Sequence, residues 1–239
     1  MPTQTSLQGA VKYKLVIFDM DGTLADSFPW FTHALNTVAD KYRFRRVAPH
    51  EVETLRGLSS RQILEWLGVP LWKVPIIARH MRALKTQHLH EIALFPGVDR
   101  LVAGLAAREI VLAIASSDTE DNVRRTLGPD NARRIAHYAC QSSLFGKRTK
   151  FRTILKRSGI PPVQTIAIGD ETRDAEAARA VGAAFGAVSW GYASVDVPQH
   201  RQIAIRLHSP RYMRYATIGW LTRSEDGVGR KGTSVSCRC

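Results

Sequence analysis

Leu15-Val16-Ile17-Phe18-Asp19-Met20-Asp21-Gly22-Thr23-Leu24 decides how the rest of the chain is read. A short apolar run, β-branched at its centre, ends in two carboxylates two positions apart, followed by a glycine and a hydroxyl residue. Such a run reads as a buried parallel strand that delivers acids to its C-terminal edge. If the backbone stays extended through Met20, the period of two puts Asp19 and Asp21 on the same side. Like charges that close cost free energy unless a cation neutralises them or one carboxyl holds a proton. Asp and Gly also favour turns, which would account for a lone Asp-Gly but not for the whole string.

The composition is that of a globular protein. The 239 residues are 44% hydrophobic and 23% charged, enough for a sizeable core, so one core domain with an inserted subdomain is expected. The first eight residues are polar and no apolar stretch nears the roughly 18 residues of a membrane span. A cytoplasmic protein without a membrane partner is the expectation. Cys140, Cys237 and Cys239 make neither a disulfide framework nor a metal site with supporting His spacing. The net charge of +13 raises the question of nucleic acid. The basic residues are spread along the chain without a nucleic-acid-binding motif, so a solvated Arg-rich surface that attracts small anionic molecules is the reading taken.

Outward from the opening strand, the pattern changes twice. From Ala25 to about Phe95, apolar residues recur at helical spacing, as in Phe31, Leu35, Val38, Ala39 and Tyr42, or Ile76, Ile77, His80, Met81 and Leu84. No strand is expected there, so residues 26–94 read as a helical insertion. After Phe95-Pro96-Gly97, strands alternate with helices: strands at 110–115, 137–140, 165–168 and 183–188, helices at 98–105, 120–127, 150–157 and 175–181. A break is expected at Gly128-Pro129 and a last strand at 203–207. The expected fold class is α/β, a Rossmann-like parallel sheet core with helices on both faces (residues 1–25 and 95–216), plus the inserted α-helical cap. Ligands of such sheets bind outside the carboxyl ends of the strands. Asp19, Asp21, Ser116 and Asp170 all fall just past strand ends, and so converge on one edge.

Asp19-x-Asp21-Gly22-Thr23, a Ser after a later strand, a Lys, and Gly169-Asp170-x-x-x-Asp174 together resemble the four-motif signature of the haloacid dehalogenase superfamily. The resemblance covers roughly 14–192. Its helical insertion directly after the first strand is similar to that of phosphoglycolate phosphatase-like members. What it implies is a Mg2+-dependent phosphatase acting on a small phosphorylated, phosphoglycolate-like substrate. Asp19 would be the nucleophile that forms an aspartyl-phosphate, and Asp21 the general acid and then the base that activates water. The second aspartate separates this chain from relatives that cleave carbon–halogen bonds. Asp19, the backbone carbonyl of Asp21, Asp170 and Asp174 would hold the metal; Asp170 and Asp174 also suit helix capping. Ser116 would donate to a phosphoryl oxygen, with Ser117 and Thr23 contacting substrate, while Ser117 or Asp118 could instead cap a helix. Lys147 is favoured over Lys150 as the fixed cation, Lys150 being expected to face solvent; the family's usual Lys-Pro is Lys147-Arg148 here.

In the insertion, Arg56-Gly57-Leu58-Ser59-Ser60-Arg61 is the candidate substrate loop, Gly57 for flexibility and Arg56 for an anionic group. Trp30, Trp66 and Trp72 read as packing within the insertion. Residues 217–239 read as a disordered tail. A monomer or homodimer is expected. Two other classes stay open: a phosphomutase passing the phosphoryl group to a sugar, and a non-catalytic regulatory or nucleic-acid-binding protein on the same scaffold.

Overall fold

A computed structural model describes residues 13–56, 58, 60–141, 146–188, 190–191 and 205–207, the side chains of Arg56 and 205–207 excepted. In chain order the described strands and longer helices are β1 (Leu15–Phe18), β2 (Ala25–Asp26), α1 (Phe28–Tyr42), α2 (Val52–Arg56), α3 (Ser60–Trp66), α4 (Val74–Gln87), β3 (Ala93–Leu94) and α5 (Val98–Ala106). They continue with β4 (Val111–Ala115), α6 (Glu120–Arg134), β5 (Ile135–Ala139), α7 (Lys147–Ser158), β6 (Thr165–Gly169), α8 (Thr172–Val181), β7 (Ala184–Val188) and β8 (Ile205–Leu207). Six strands form a sheet in the order β5-β4-β1-β6-β7-β8, every described pairing parallel. β1 lies between β4 and β6, with Phe18 in register with both Ile114 and Ile168. Asp19, Ser116 and Asp170 therefore leave the sheet near one another.

Alternation along the central strands fills both faces. Val16, Phe18, Leu112, Ile114, Ile166 and Ile168 pack with residues of α5 and α6. Leu15, Ile17, Ala113 and Ala167 pack with Phe151 and Ile154 of α7 and Ala177 and Ala178 of α8. Residues buried on both faces explain why the strands read as continuous apolar runs.

Between β2 and β3, α1–α4 enclose a cluster that includes Phe28, Leu35, Val38, Leu55, Val74 and Ile77. The stretch expected to hold no strand begins and ends in one. β2 and β3 pair antiparallel, Ala25 with Leu94 and Asp26 with Ala93. Two residues apiece are too few for periodicity to register. Trp72, expected to pack within the insertion, is instead 71% exposed, and the Lys73 ammonium lies 5.3 Å from its ring centroid.

Three helices run at least three residues beyond their sequence pattern, α8 by starting at Thr172 rather than Ala175. At Gly128 (φ 74°) the α6 backbone breaks, and Pro129 starts a further helical segment that runs to Arg134. α7 begins at Lys147 rather than Lys150, and Gly159 at φ 68° ends it. The earlier start puts Lys147, Lys150, Phe151 and Ile154 on one buried stripe. Lys150 is thus buried, not solvent-facing. Cys140 is partly buried and packs against the α5–α6 side. The tail, Cys237 and Cys239 lie outside the described residues. Among those described, no helix is long and apolar enough to cross a membrane.

Candidate active site

After Phe18 the chain turns tightly: the amides of Leu24 and Ala25 both donate to the Met20 carbonyl at 2.9 Å. Asp19 is thereby buried at the strand end, where Lys147 meets it. Lys147 Nζ lies 2.7 Å from Asp19 Oδ1 and 2.8 Å from Asp174 Oδ1. Burial pushes the Asp19 carboxyl above its ordinary value and outweighs the opposing pull of Lys147. For Lys147, burial acts downward, but Asp174 and Asp19 win and its pKa is raised. Lys150 makes no ion pair among the described residues, and burial with the neighbouring Lys147 brings it down to about 8, against a weaker pull from Asp19.

Asp19, Asp170 and Asp174 each offer a carboxylate oxygen to a buried group whose atoms lie within 4.8 Å of one another. Asp19 Oδ2 is buried with no hydrogen-bond partner among the described residues, which is costly for an acceptor. Three buried carboxylates with an orphaned oxygen fit a hard divalent cation such as Mg2+. The Thr23 hydroxyl donates to Asp170 Oδ1 at 3.0 Å, so Thr23 orients a carboxylate. Asp174 also caps its own helix, accepting the Glu171 amide at Oδ2, 3.1 Å away. Two glycines make room for Asp170. A Cβ on Gly22, whose φ is +77°, would fall 2.3 Å from Asp170 Oδ2, and one on Gly191 would fall 2.1 Å from Asp170 Cβ.

Asp21 points elsewhere. Its Oδ1 accepts from Ser27 Oγ at 2.6 Å and from Lys85 Nζ, near the C-terminal end of α4, at 2.5 Å. Lys85 also lies 2.8 Å from Asp118 Oδ2. Burial would raise the Asp21 carboxyl, but Lys85 and the Ser27 hydroxyl outweigh it and hold the group below its ordinary range. The same two carboxylates raise the pKa of Lys85 against its own burial. Ser116 is buried beside them, and its hydroxyl accepts the Asp118 amide at 3.1 Å. The cap of α6 is neither Ser117 nor Asp118: the Thr119 hydroxyl accepts the Asn122 amide, and Asp118 binds Asn122 Nδ2 at 2.8 Å.

A cavity of about 210 Å3 adjoins Asp21, between the helical insertion and the sheet edge, and Ser117 lines it. Across it, Ser60 Oγ donates to Glu171 Oε2 at 2.8 Å, while Arg173 donates to Glu171 Oε1 at 2.6 Å. Arg173 is partly buried, its side chain 25% exposed, and its pKa is raised: desolvation opposes this, but Glu171 and Asp19 outweigh it. Gly57 and the Arg56 side chain lie outside the described residues.

Of the expected residues, Asp19, Lys147, Asp170 and Asp174 form one cluster, with Thr23 bound to it. Asp21 and Ser116 stand beside it, near Lys85 and Asp118. The sequence gives no site role to Lys85, Arg173 and Gly191, and to Asp118 only that of a candidate helix cap. For Lys85 a signal existed: it follows Ile77 and Met81 at intervals of four, a cation on an apolar stripe.

Residues 16–188 match the family described as haloacid dehalogenase-like hydrolase. The phosphoglycolate phosphatase of Synechococcus elongatus is 33% identical over 178 residues, 74% of this chain and 84% of that protein. The tyrosine-protein kinase PtkA of Mycobacterium tuberculosis is 26% identical, over 82% of this chain and 69% of its own length. Among solved structures, CbbY from Rhodobacter sphaeroides in complex with phosphate superposes with a TM-score of 0.67 at 21% identity, covering 86% of this chain and 98% of that one. That last likeness is one of fold.

Proposed function

The chain belongs to the haloacid dehalogenase-like hydrolase family and is a phosphatase of it, and from that premise we propose that it is a Mg2+-dependent phosphomonoesterase working through an aspartyl-phosphate. The observation that carries this reading is the buried Asp19 carboxylate, with one oxygen on Lys147 and the other without a hydrogen-bond partner among the described residues. The substrate is a small phosphorylated metabolite, with phosphoglycolate as the first candidate by similarity to the Synechococcus enzyme.

Asp19, Asp170, Asp174 and the main-chain carbonyl of Asp21 would hold the metal, which supplies charge neutralisation for the phosphoryl group when bound. The chain's own residues do the rest. Asp19 attacks phosphorus in line, and the bond to the alcohol oxygen breaks. Lys147 is a fixed cation beside the nucleophile and the equatorial oxygens, in a site that needs no reorganisation. Ser116, its oxygen fixed by the Asp118 amide, turns its hydroxyl hydrogen toward a phosphoryl oxygen. Asp21 protonates the leaving alcohol, then takes a proton from the water that attacks the aspartyl-phosphate and releases inorganic phosphate. Lys85 holds Asp21 ionised, the form the second step requires; the first step requires that contact to open. The helical insertion, residues 26–94, acts as the cap that closes over the substrate.

Phosphate release measured over a set of small phosphate esters, with Mg2+ and with EDTA, tests the reading. Metal-dependent release, abolished by Asp19→Asn, is the expected result, and unchanged release in that variant would exclude the nucleophile. Counting free against transferred phosphate separates a hydrolase from a mutase.

A further inference from the structure

In an in-line displacement the leaving oxygen lies opposite the nucleophile. Asp21, the group assigned to that oxygen, lines the cavity, whereas Asp19 is not among its lining residues. The organic part of the ester therefore starts at Asp21 and extends into the helical insertion.

The wall it meets is graded along one helix. The α4 residues that line the cavity are Val74, Ile77, Ala78, Met81, Arg82 and Lys85, spaced as a single helix face. The first four are apolar and the last two cationic, the cationic end being the one at Asp21 and Asp118. From α1 the wall receives Phe28, Trp30, Phe31 and Leu35. At the core end Lys85 is paired with Asp21 and Asp118 and Arg173 with Glu171, while Arg82 donates to the Ser117 carbonyl at 3.4 Å. A carboxylate pushed beyond them would lose its water among apolar side chains. An alkyl or aryl group would gain by the same burial.

We propose that the leaving alcohol of the substrate is apolar, a short alkyl chain or a single ring seated between α1, α3 and α4, with the phosphoryl group at the cationic end. This rests on the phosphatase reading and departs from phosphoglycolate at the leaving group. A pocket that is mostly apolar with a few convergent polar groups at one end is the usual form of a small-molecule site.

The test is kcat/KM for phosphate release from n-alkyl phosphates, ethyl to hexyl, set beside 2-phosphoglycolate. The expected result is a rise of about fourfold per methylene until the cavity is full, with the best alkyl ester ahead of 2-phosphoglycolate. Ala78→Phe, which fills the cavity, is expected to lower the hexyl-to-ethyl ratio about tenfold, by removing room for one or two methylenes. Release from 2-phosphoglycolate with a flat alkyl series overturns the proposal and leaves the phosphatase reading standing. Release from no ester at all overturns both.

Discussion

Lys85 Nζ stands 2.5 Å from Asp21 Oδ1, joining two residues 64 positions apart in the chain. The lysine side chain is 7% exposed and its second partner, Asp118, 3%, so this one ammonium neutralises two carboxylates at the sheet edge. It is also the polar tie between α4 and the proposed proton donor. Breaking a buried ion pair from one side is expensive because the remaining charge is left without compensation.

Lys85→Met is therefore expected to destabilise the protein by about 3 kcal/mol, read from urea unfolding at neutral pH. Adding Asp118→Asn is expected to restore part of that loss, since the residues form one network. An unshifted midpoint in the single variant would show that the bridge contributes nothing.

The same pair carries a pH dependence. Asp21 is held below its ordinary value of 3.8 in the folded state. Its contribution to stability is thus present above that value and is lost as the pH falls below it. Urea midpoints between pH 7 and pH 3 are expected to drop less in Lys85→Met than in the parent, because the variant has already lost the interaction.

Asp19 has the opposite sign. Its pKa is raised by burial, so its charge costs stability above the folded-state pKa, and the cost lifts as the pH falls through that value. Asp19→Asn is expected to raise Tm by about 2–4 °C, roughly 1 kcal/mol for a chain of this size. The same substitution is expected to cut phosphate release by about a thousandfold or more. Calorimetry and a phosphate assay on one preparation give both readings.

Gly191→Ala probes the proposed metal site from outside it. The new Cβ would collide with Asp170, displacing a carboxylate while leaving Lys147 and Asp19 in contact. In the parent, Mg2+ at a hundred times its Kd is expected to stabilise by about 2.7 kcal/mol, reversibly with EDTA. In the variant the Mg2+ concentration needed for a given Tm shift is expected to rise by about 10–100-fold.

By itself the sequence determined the strands, their burial on both faces, and the acids at their ends. Those signals are local: an apolar run, then Asp19, Ser116 or Asp170 within a residue or two of its close. It also favoured Lys147 over Lys150, because Gly146 beside it lets the backbone approach closely. Local signals fail where a contact depends on how two elements are juxtaposed. Lys85 reads as one more charged residue of an amphipathic helix until α4 is laid against the sheet edge. Gly191 reads as a turn until Asp170 fills the space where its Cβ would be. Lys150 reads as solvated until the start of α7 is set three residues earlier. The β2–β3 pair is too short to show any period. Which alcohol the site accepts belongs to the same class, because a cavity is a property of the packing of α1, α3 and α4 and of no single segment. The sequence placed the chemistry at a sheet edge; only the tertiary structure brought the cation to Asp21 and shaped the apolar space beyond it.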